Sequence, residues 1–436
     1  MKNRLLSRRN FLKTTTGGLA SLALSVPQKS TGIGLSDDVY SINHDSVYSI
    51  THKATEISLT DFLKQQSGLG HNVKIRFLCK GSNPILSHDG ETFAYRGIDK
   101  EPTPLAPNDF GSNLWVGSIK DRWKRRFKGS IPDNWGYALS YNGEYILLRK
   151  ESYQRKTHTP YQHIFRYDLR NETPELIASD SGTFGSAAMS FDGHEIIYSI
   201  AADVQEKMGV YLWHHDTMLP EKIPLGSMYI EDFAVSLGGE TVVFLDYDEK
   251  YENQVHSWSK GDHQAYQITS QPYFHSQLQM NNQGMAVCKQ AKNYNFLHSK
   301  SDDLLVLLPI HSGEVIHLDT GLPTSFHPCL SDDATTLIFE GSRRWASRFR
   351  RSYIDKSLFI MDYAQKLYAE IIEEDLGFIN SYMQPVSNRF QQRFSSDGTR
   401  IIHQGRNNNI YLIDLAPWKD DQLLFEERSP IEIYEG

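Results

Sequence analysis

The chain repeats one pattern: a polar turn, a short apolar run, then a second apolar run after a loop. The runs that follow the turns are Thr92–Tyr95, Tyr145–Leu148, Glu195–Tyr198, Thr241–Leu245, Met285–Cys288, Thr336–Phe339 and Arg400–His403. Each is rich in β-branched, aromatic or aliphatic side chains and bounded by turn residues, the pattern of a buried strand. The turns read Ser87-His88-Asp89-Gly90, Ser140-Tyr141-Asn142-Gly143, Ser190-Phe191-Asp192-Gly193, Ser236-Leu237-Gly238-Gly239, Asn281-Asn282-Gln283-Gly284, Ser331-Asp332-Asp333-Ala334 and Ser395-Ser396-Asp397-Gly398. Asp-Gly and Asn-Gly accept positive φ and close tight hairpins. The turns start 45 to 64 residues apart, so the unit is longer than one hairpin.

Further runs fill each unit. Leu114–Ile119, His163–Leu169, Val210–Trp213, Leu358–Tyr363 and Ile410–Leu415 read as third strands, and Pro174–Ile177 and Ala265–Ile268 as fourth strands. Four strands in a unit of this length are the signature of a propeller blade. The expected fold is all-β: a seven-bladed β-propeller with four-stranded antiparallel blades over residues 71–436. Residues 31–70 form an N-terminal extension with no assigned place. Either Val73–Leu78 or Pro430–Tyr434 supplies the outer strand of the last blade.

On these turns the chain resembles the TolB-type, WD40-like propeller family over residues 80–415. The fourth to sixth copies depart from the family's repeat by lacking one or more turn residues. The resemblance implies a central channel lined by the first strand of each blade. It also implies a top face carrying the loops into those strands and the loops between second and third strands.

Composition sets the address. The N-terminus holds Ser7-Arg8-Arg9-Asn10-Phe11-Leu12-Lys13 and then a mild apolar stretch, Gly17 to Val26. A basic region, a short apolar region and small residues make a signal peptide. The paired arginines resemble the twin-arginine export signal, here residues 1–30, with Ala23-Leu24-Ser25 as a candidate cleavage site. A periplasmic or secreted protein is expected. The formal net charge is −8, and residues 1–25 contain five basic residues and no acid, so the remainder is more acidic still. An acidic body does not suit nucleic acid as a partner. No later stretch has the apolar length of a membrane span. Three cysteines are too few for a disulfide framework, and a monomer is expected.

Candidate chemistry follows from register, with the first turn residue as zero. Positions −1 and −3 are mostly apolar and pack between blades. Positions −4 and −2 turn to the other side. They are small in blades two and three but polar later: Asp232, Gln277, Gln279, His327, Cys329, Gln391 and Arg393, with His275 at −6. The expected pocket is polar and one-sided, unless it is only a water-filled channel. Imidazole and thiolate ligate metals, so His275, His327 and Cys329 are candidate ligands for zinc, calcium or manganese. Their spacing matches no compact zinc motif.

The top loops add cations and aromatic rings: Arg343, Arg344 and Arg348 in blade six, Arg389 and Arg393 before blade seven, Arg155 in blade two, and Trp135 and Tyr273 nearby. Arginine pairs with carboxylate in a fork, and aromatic faces stack on sugar rings. An anionic polysaccharide is therefore the expected partner. His158, Tyr161, His163, His275 and His327 are candidate catalytic groups. Substrate would be held by Trp135, Arg155, Tyr273, Gln277, Arg343, Arg344, Arg348, Gln391 and Arg393. The architecture is similar to that of oligogalacturonate and ulvan lyases, which implies β-elimination on a uronate chain. His327-Pro328 resembles a His-Pro pair of the former. Asp232, Gln277 and Gln391 stand where that family has metal-binding histidines, so its metal site does not carry over. The alternative is a non-catalytic binding or scaffold propeller in the periplasm. Arg122-Trp123-Lys124-Arg125-Arg126 falls on the opposite face by position and is expected to be structural.

Overall fold

The computed structural model describes residues 40–42, 48–66, 73–97, 113–128, 137–153, 160–180, 183–190, 192–201, 208–224, 230–236, 238–247, 253–270, 274–281, 283–291, 304–310, 314–342, 357–372, 394–405, 409–415 and 425–432. The described chain is almost entirely β, with one short helix, Leu59–Gln65.

Each turn motif closes a hairpin by the same hydrogen bonds. The first residue's carbonyl accepts from the N–H of the fourth, at 2.9 Å in Ser87–Gly90 and 3.0 Å in Ser395–Gly398. The serine hydroxyl accepts from the N–H five residues on, as Thr92 to Ser87 at 2.8 Å and Thr336 to Ser331 at 3.0 Å. Where Asp or Asn stands two residues on, the hydroxyl also donates to it, as Ser140 to Asn142 at 2.7 Å and Ser395 to Asp397 at 2.6 Å. In the fifth turn the Asn281 side-chain oxygen takes the serine's place and accepts from Met285 N at 3.0 Å. The fourth residue needs a left-handed backbone, with φ from 68° to 73° at the glycines and 54° at Ala334. Glycine meets that need without a Cβ clash.

The strands form antiparallel four-stranded sheets in sequence order. One runs Ala138–Leu139, Tyr145–Tyr153, Pro160–Asp168, Thr173–Asp180; the next runs Thr183–Met189, Glu195–Ala201, Gly209–His214, Pro220–Lys222. A third begins with Ile230–Val235, a fourth with Phe274–Met280 and a fifth with Thr324–Leu330. We number units by their turns, so these five are units two to six. Units one and seven share the long strand Lys74–Leu86. Its residues 74–80 pair with Asn409–Asp414 of unit seven, and 81–86 pair with Thr92–Gly97 of unit one. The early segment thus supplies unit seven's outer strand. Ile431–Glu432 instead lies parallel to Trp123–Lys128, the outer strand of unit one.

The extension also has a place. Tyr48–Lys53 pairs in parallel with Glu314–Asp319 of unit five, and Thr55–Glu56 with Leu367–Ile372 of unit six. Ser58 caps the helix by accepting from Asp61 N at 3.1 Å. Phe62 and Leu63 of that helix then pack into the apolar cluster shared by units six and seven. The basic run 122–126 is on unit one's outer strand, beside Glu426 and Glu427, with Arg125 paired to Glu172 at 2.5 Å.

The turns do not stand apart. His88 N donates to Tyr141 O at 2.9 Å, Ser396 N to His88 O at 2.6 Å and Asp332 N to Ser396 O at 3.2 Å. His88 Nδ1 lies 3.1 Å from the Asp332 carboxylate, and the Tyr141 hydroxyl donates to Val235 O of unit four at 3.1 Å. Turns one, two, six and seven therefore meet one another and unit four. Contacts between units so far apart in sequence require the inner strands to gather around a common axis.

Candidate functional site

The opposite end of the inner strands is built differently. Five of them break register there, between Ser82 and Ile85, Phe184 and Ala187, Ile230 and Phe233, Ser276 and Gln279, and Phe326 and Cys329. A bulge inserts a residue and re-aims the side chains around it. The plain alternation expected for positions −4 and −2 therefore fails. In units one and six the bulge residue precedes proline and is left-handed: Asn83 at φ 51° and His327 at φ 48°. Non-glycine residues pay for that backbone, so a surrounding structure must hold it there.

His327 uses the bulge to reach a carboxylate. Its Nδ1 lies 3.2 Å from Glu340 Oε2. Glu340 is on Thr336–Ser342, cross-strand from Phe326, and its side chain is 1% exposed against 26% for His327. A buried carboxylate against a half-buried imidazole is an orienting pair, because it keeps the facing ring nitrogen protonated.

His275, on the inner strand of unit five, is locked from unit four. Its Nδ1 is 3.0 Å from Asn253 O. The Asn253 side chain clamps the His275 backbone at both ends, donating to its carbonyl and accepting from its N–H, each at 2.5 Å. A carbonyl only accepts, so Nδ1 carries the proton and Nε2 keeps its lone pair. Burial pulls the imidazole down to about 4, with His317 adding a smaller push; burial also brings His317 to about 4. Both rings are neutral at neutral pH. Opposite His275 lies Gln290, buried, whose Oε1 has no hydrogen-bond partner among the described residues.

The remaining candidates divide. Tyr161 and His163 lie on Pro160–Asp168, the third strand of unit two, on a different sheet from His275 and His327. His163 is half-buried, 6.0 Å from the Phe165 ring. Gln277 falls inside the unit-five bulge. Trp135, Arg155, His158, Tyr273, Arg343, Arg344, Arg348, Gln391 and Arg393 lie outside the described residues. Glu340, Asn253, Gln290 and His317 were not foreseen. Glu340 and Gln290 share a register, nine residues after the first residue of their turns, which is the signal that marks them.

Among the described residues no three His, Cys, Asp or Glu side chains converge to hold an ion. Cys329 is buried with Ile338, Leu358, Ile360 and Ile401 in the apolar cluster between units six and seven. Among the described residues His275, His327 and Cys329 are not brought together with one another around an ion.

No protein-family model matches the chain, and no curated protein sequence matches it. Solved structures do. The chain is similar to oligogalacturonate lyase from Vibrio parahaemolyticus, with TM-score 0.54 and 10% identity, covering 87% of this chain and 96% of that one. It is similar to TolB from Acinetobacter baumannii with TM-score 0.43 and 17% identity, covering 65% of this chain and 64% of that one. It is similar to acylaminoacyl peptidase from Pyrococcus horikoshii with TM-score 0.48 and 13% identity, covering 69% of this chain and 46% of that one. The chain thus spans just under two-thirds of that TolB and less than half of that peptidase. At these identities the likeness speaks to fold alone, and it rests on the first of the three. The architecture is a TolB-like β-propeller.

Proposed function

We infer that the protein is an exported, seven-bladed propeller that binds a uronic-acid-containing polysaccharide and cleaves it by β-elimination. The observation that carries this is the pair of imidazoles on the neighbouring inner strands of units five and six. His275 is held neutral with its lone pair on Nε2, and His327 is backed by Glu340.

β-Elimination removes the C5 proton of a uronate and breaks the C4–O bond, leaving a C4=C5 double bond and a protonated leaving oxygen. It needs a base at C5, an acid for the leaving oxygen and a cation against the carboxylate. His327 is the base. The acid comes from Tyr161 or one of the remaining histidines, His158 and His163. Arg343, Arg344, Arg348 and Arg393 supply the cation, with Arg155. Trp135 and Tyr273 offer stacking faces. Gln277 accepts hydrogen bonds from sugar hydroxyls, and neutral His275, itself buried, holds the inner strand beside it. The twin-arginine signal and the acidic body fit a periplasmic or secreted monomer.

The test is to incubate the mature protein with ulvan, pectate, alginate and glycosaminoglycans and follow ultraviolet absorbance of the unsaturated uronate. Product from one of them supports the lyase. Binding without product leaves a carbohydrate-binding propeller, and neither binding nor product ends the proposal.

A further inference from the structure

The Glu340 side chain is almost wholly enclosed, yet it does not serve the core. Its strand is fully buried and runs through apolar Leu337, Ile338 and Phe339 before it. A carboxylate in that place is costly unless a partner holds it. One partner is a residue whose backbone is itself unfavourable: His327, left-handed at φ 48° and followed by Pro328. Regular pairing would not bring the two together. Phe326 is the residue opposite Glu340, and pairing resumes only at Cys329 opposite Ile338. His327 and Pro328 together face the single residue Phe339, one residue more than regular pairing allows. Two costs, one of strain and one of desolvation, meet in one 3.2 Å contact. Such coincidences mark function more often than stability.

We propose that Glu340 is a positioning residue for His327. It fixes the ring with the proton on Nδ1 and commits Nε2 to proton exchange with substrate. This rests on the lyase activity proposed above. In that reaction the C5 proton passes to His327 Nε2, and the electron pair of the C5–H bond becomes the C4=C5 double bond as the C4–O bond breaks. Glu340 touches neither substrate nor the transferred proton. It stabilises the imidazolium that forms, as the carboxylate in a base-and-orienter pair does.

Two variants of the full chain test this. E340M removes the acceptor with little change in volume, and E340Q keeps an acceptor oxygen without the charge. Long-range 1H–15N spectra report which ring nitrogen of His327 is protonated, with its signals assigned by their loss in H327Q. Wild type should carry the Nδ1 proton, E340Q should keep it, and E340M should shift toward the Nε2 form. Turnover on the active polysaccharide should fall about tenfold to a hundredfold in E340M, with KM nearly unchanged and E340Q in between. A protonation pattern that is the same in wild type and E340M overturns the proposal, as does a wild type protonated on Nε2. If wild type forms no unsaturated product, the lyase fails while the spectra still decide whether Glu340 orients His327.

Discussion

The two ends of the inner strands follow opposite rules. At the turn end the motif bonds locally: serine to backbone, acid to serine, glycine to the bend. The turns also tie to one another across non-adjacent units, through His88, Tyr141, Asp332 and Ser396. At the loop end the strands bulge, a histidine takes a left-handed backbone, and buried polar groups hold only part of their hydrogen bonding. The same strand thus runs from a stabilising end to an end that carries cost. A scaffold that repeats can place its expense on one face, and the face with the expense is where ligand chemistry belongs.

Substitutions at the turn end should therefore hurt stability and spare the site. The largest effect is expected at Gly143. Its φ is 68°, and an added Cβ would sit 2.4 Å from Thr92 Oγ1 of unit one. Left-handed strain and overpacking together should cost Gly143→Ala about 2–4 kcal/mol. Gly261 is the control, with φ 90° and nothing within 4 Å of an added Cβ. There only the backbone term of about 1–2 kcal/mol applies. Urea melts of both variants check the difference; equal losses would mean that turn two does not pack on unit one.

The loop end should respond to pH instead. His275 and His317 have folded values near 4, below the ordinary value of 6.5. Between those limits the unfolded chain binds protons that the folded chain refuses. Their contribution is complete above about pH 6.5 and is lost as pH falls toward 4. By pH 5 the loss is about 2 kcal/mol for each ring. His275→Gln should flatten the fall in Tm between pH 7 and pH 5 by one ring's share. An unchanged pH slope would show that His275 is solvated.

Much of the turn end was legible in the amino-acid sequence because its bonds are local. Ser, Asp and Gly within four residues complete their own hydrogen bonds, so the motif carries its own geometry. Even Asn281 could be aligned with the serines because its side-chain oxygen does the same work. The loop end was legible only in part. His275 and His327 stood out as polar residues at inward register, but their partners did not. Asn253 comes from the preceding unit, and Glu340 meets His327 only because a bulge shifts the strand by its inserted residue. Cys329, where pairing resumes after the same bulge, lies in apolar packing. The extension was illegible for another reason. Thr55–Glu56 is a two-residue parallel strand, whose hydrogen bonds lie wholly with a distant partner.

A smaller effect separates tertiary ties from turn geometry. Tyr141→Phe removes only the hydroxyl that reaches Val235 O, and should cost about 1 kcal/mol. A loss near zero in a thermal melt would mean that the tie across the axis is not a stability element and that the turns hold by local bonds alone.

The smallest expected effect comes from opposing contributions. The sixth turn is the one whose fourth residue is not glycine: Ala334 holds φ 54° where its counterparts are glycines near 70°. Its methyl group is buried in the cluster between units five and six. Ala334→Gly relieves left-handed strain of about 1–2 kcal/mol. It also loses the burial of one methyl, about 0.8 kcal/mol, and frees the unfolded chain by a further ~0.5 kcal/mol. The balance lies between a loss of about 0.3 and a gain of about 0.7 kcal/mol. This substitution lies in the same unit as His327 and at the other end of the same inner strand. A shift in Tm with unchanged polysaccharide binding would show that the two ends are energetically separate. A change in binding would show that strain at the turn is felt along Thr324–Leu330, and that the stabilising end and the costly end share one ledger.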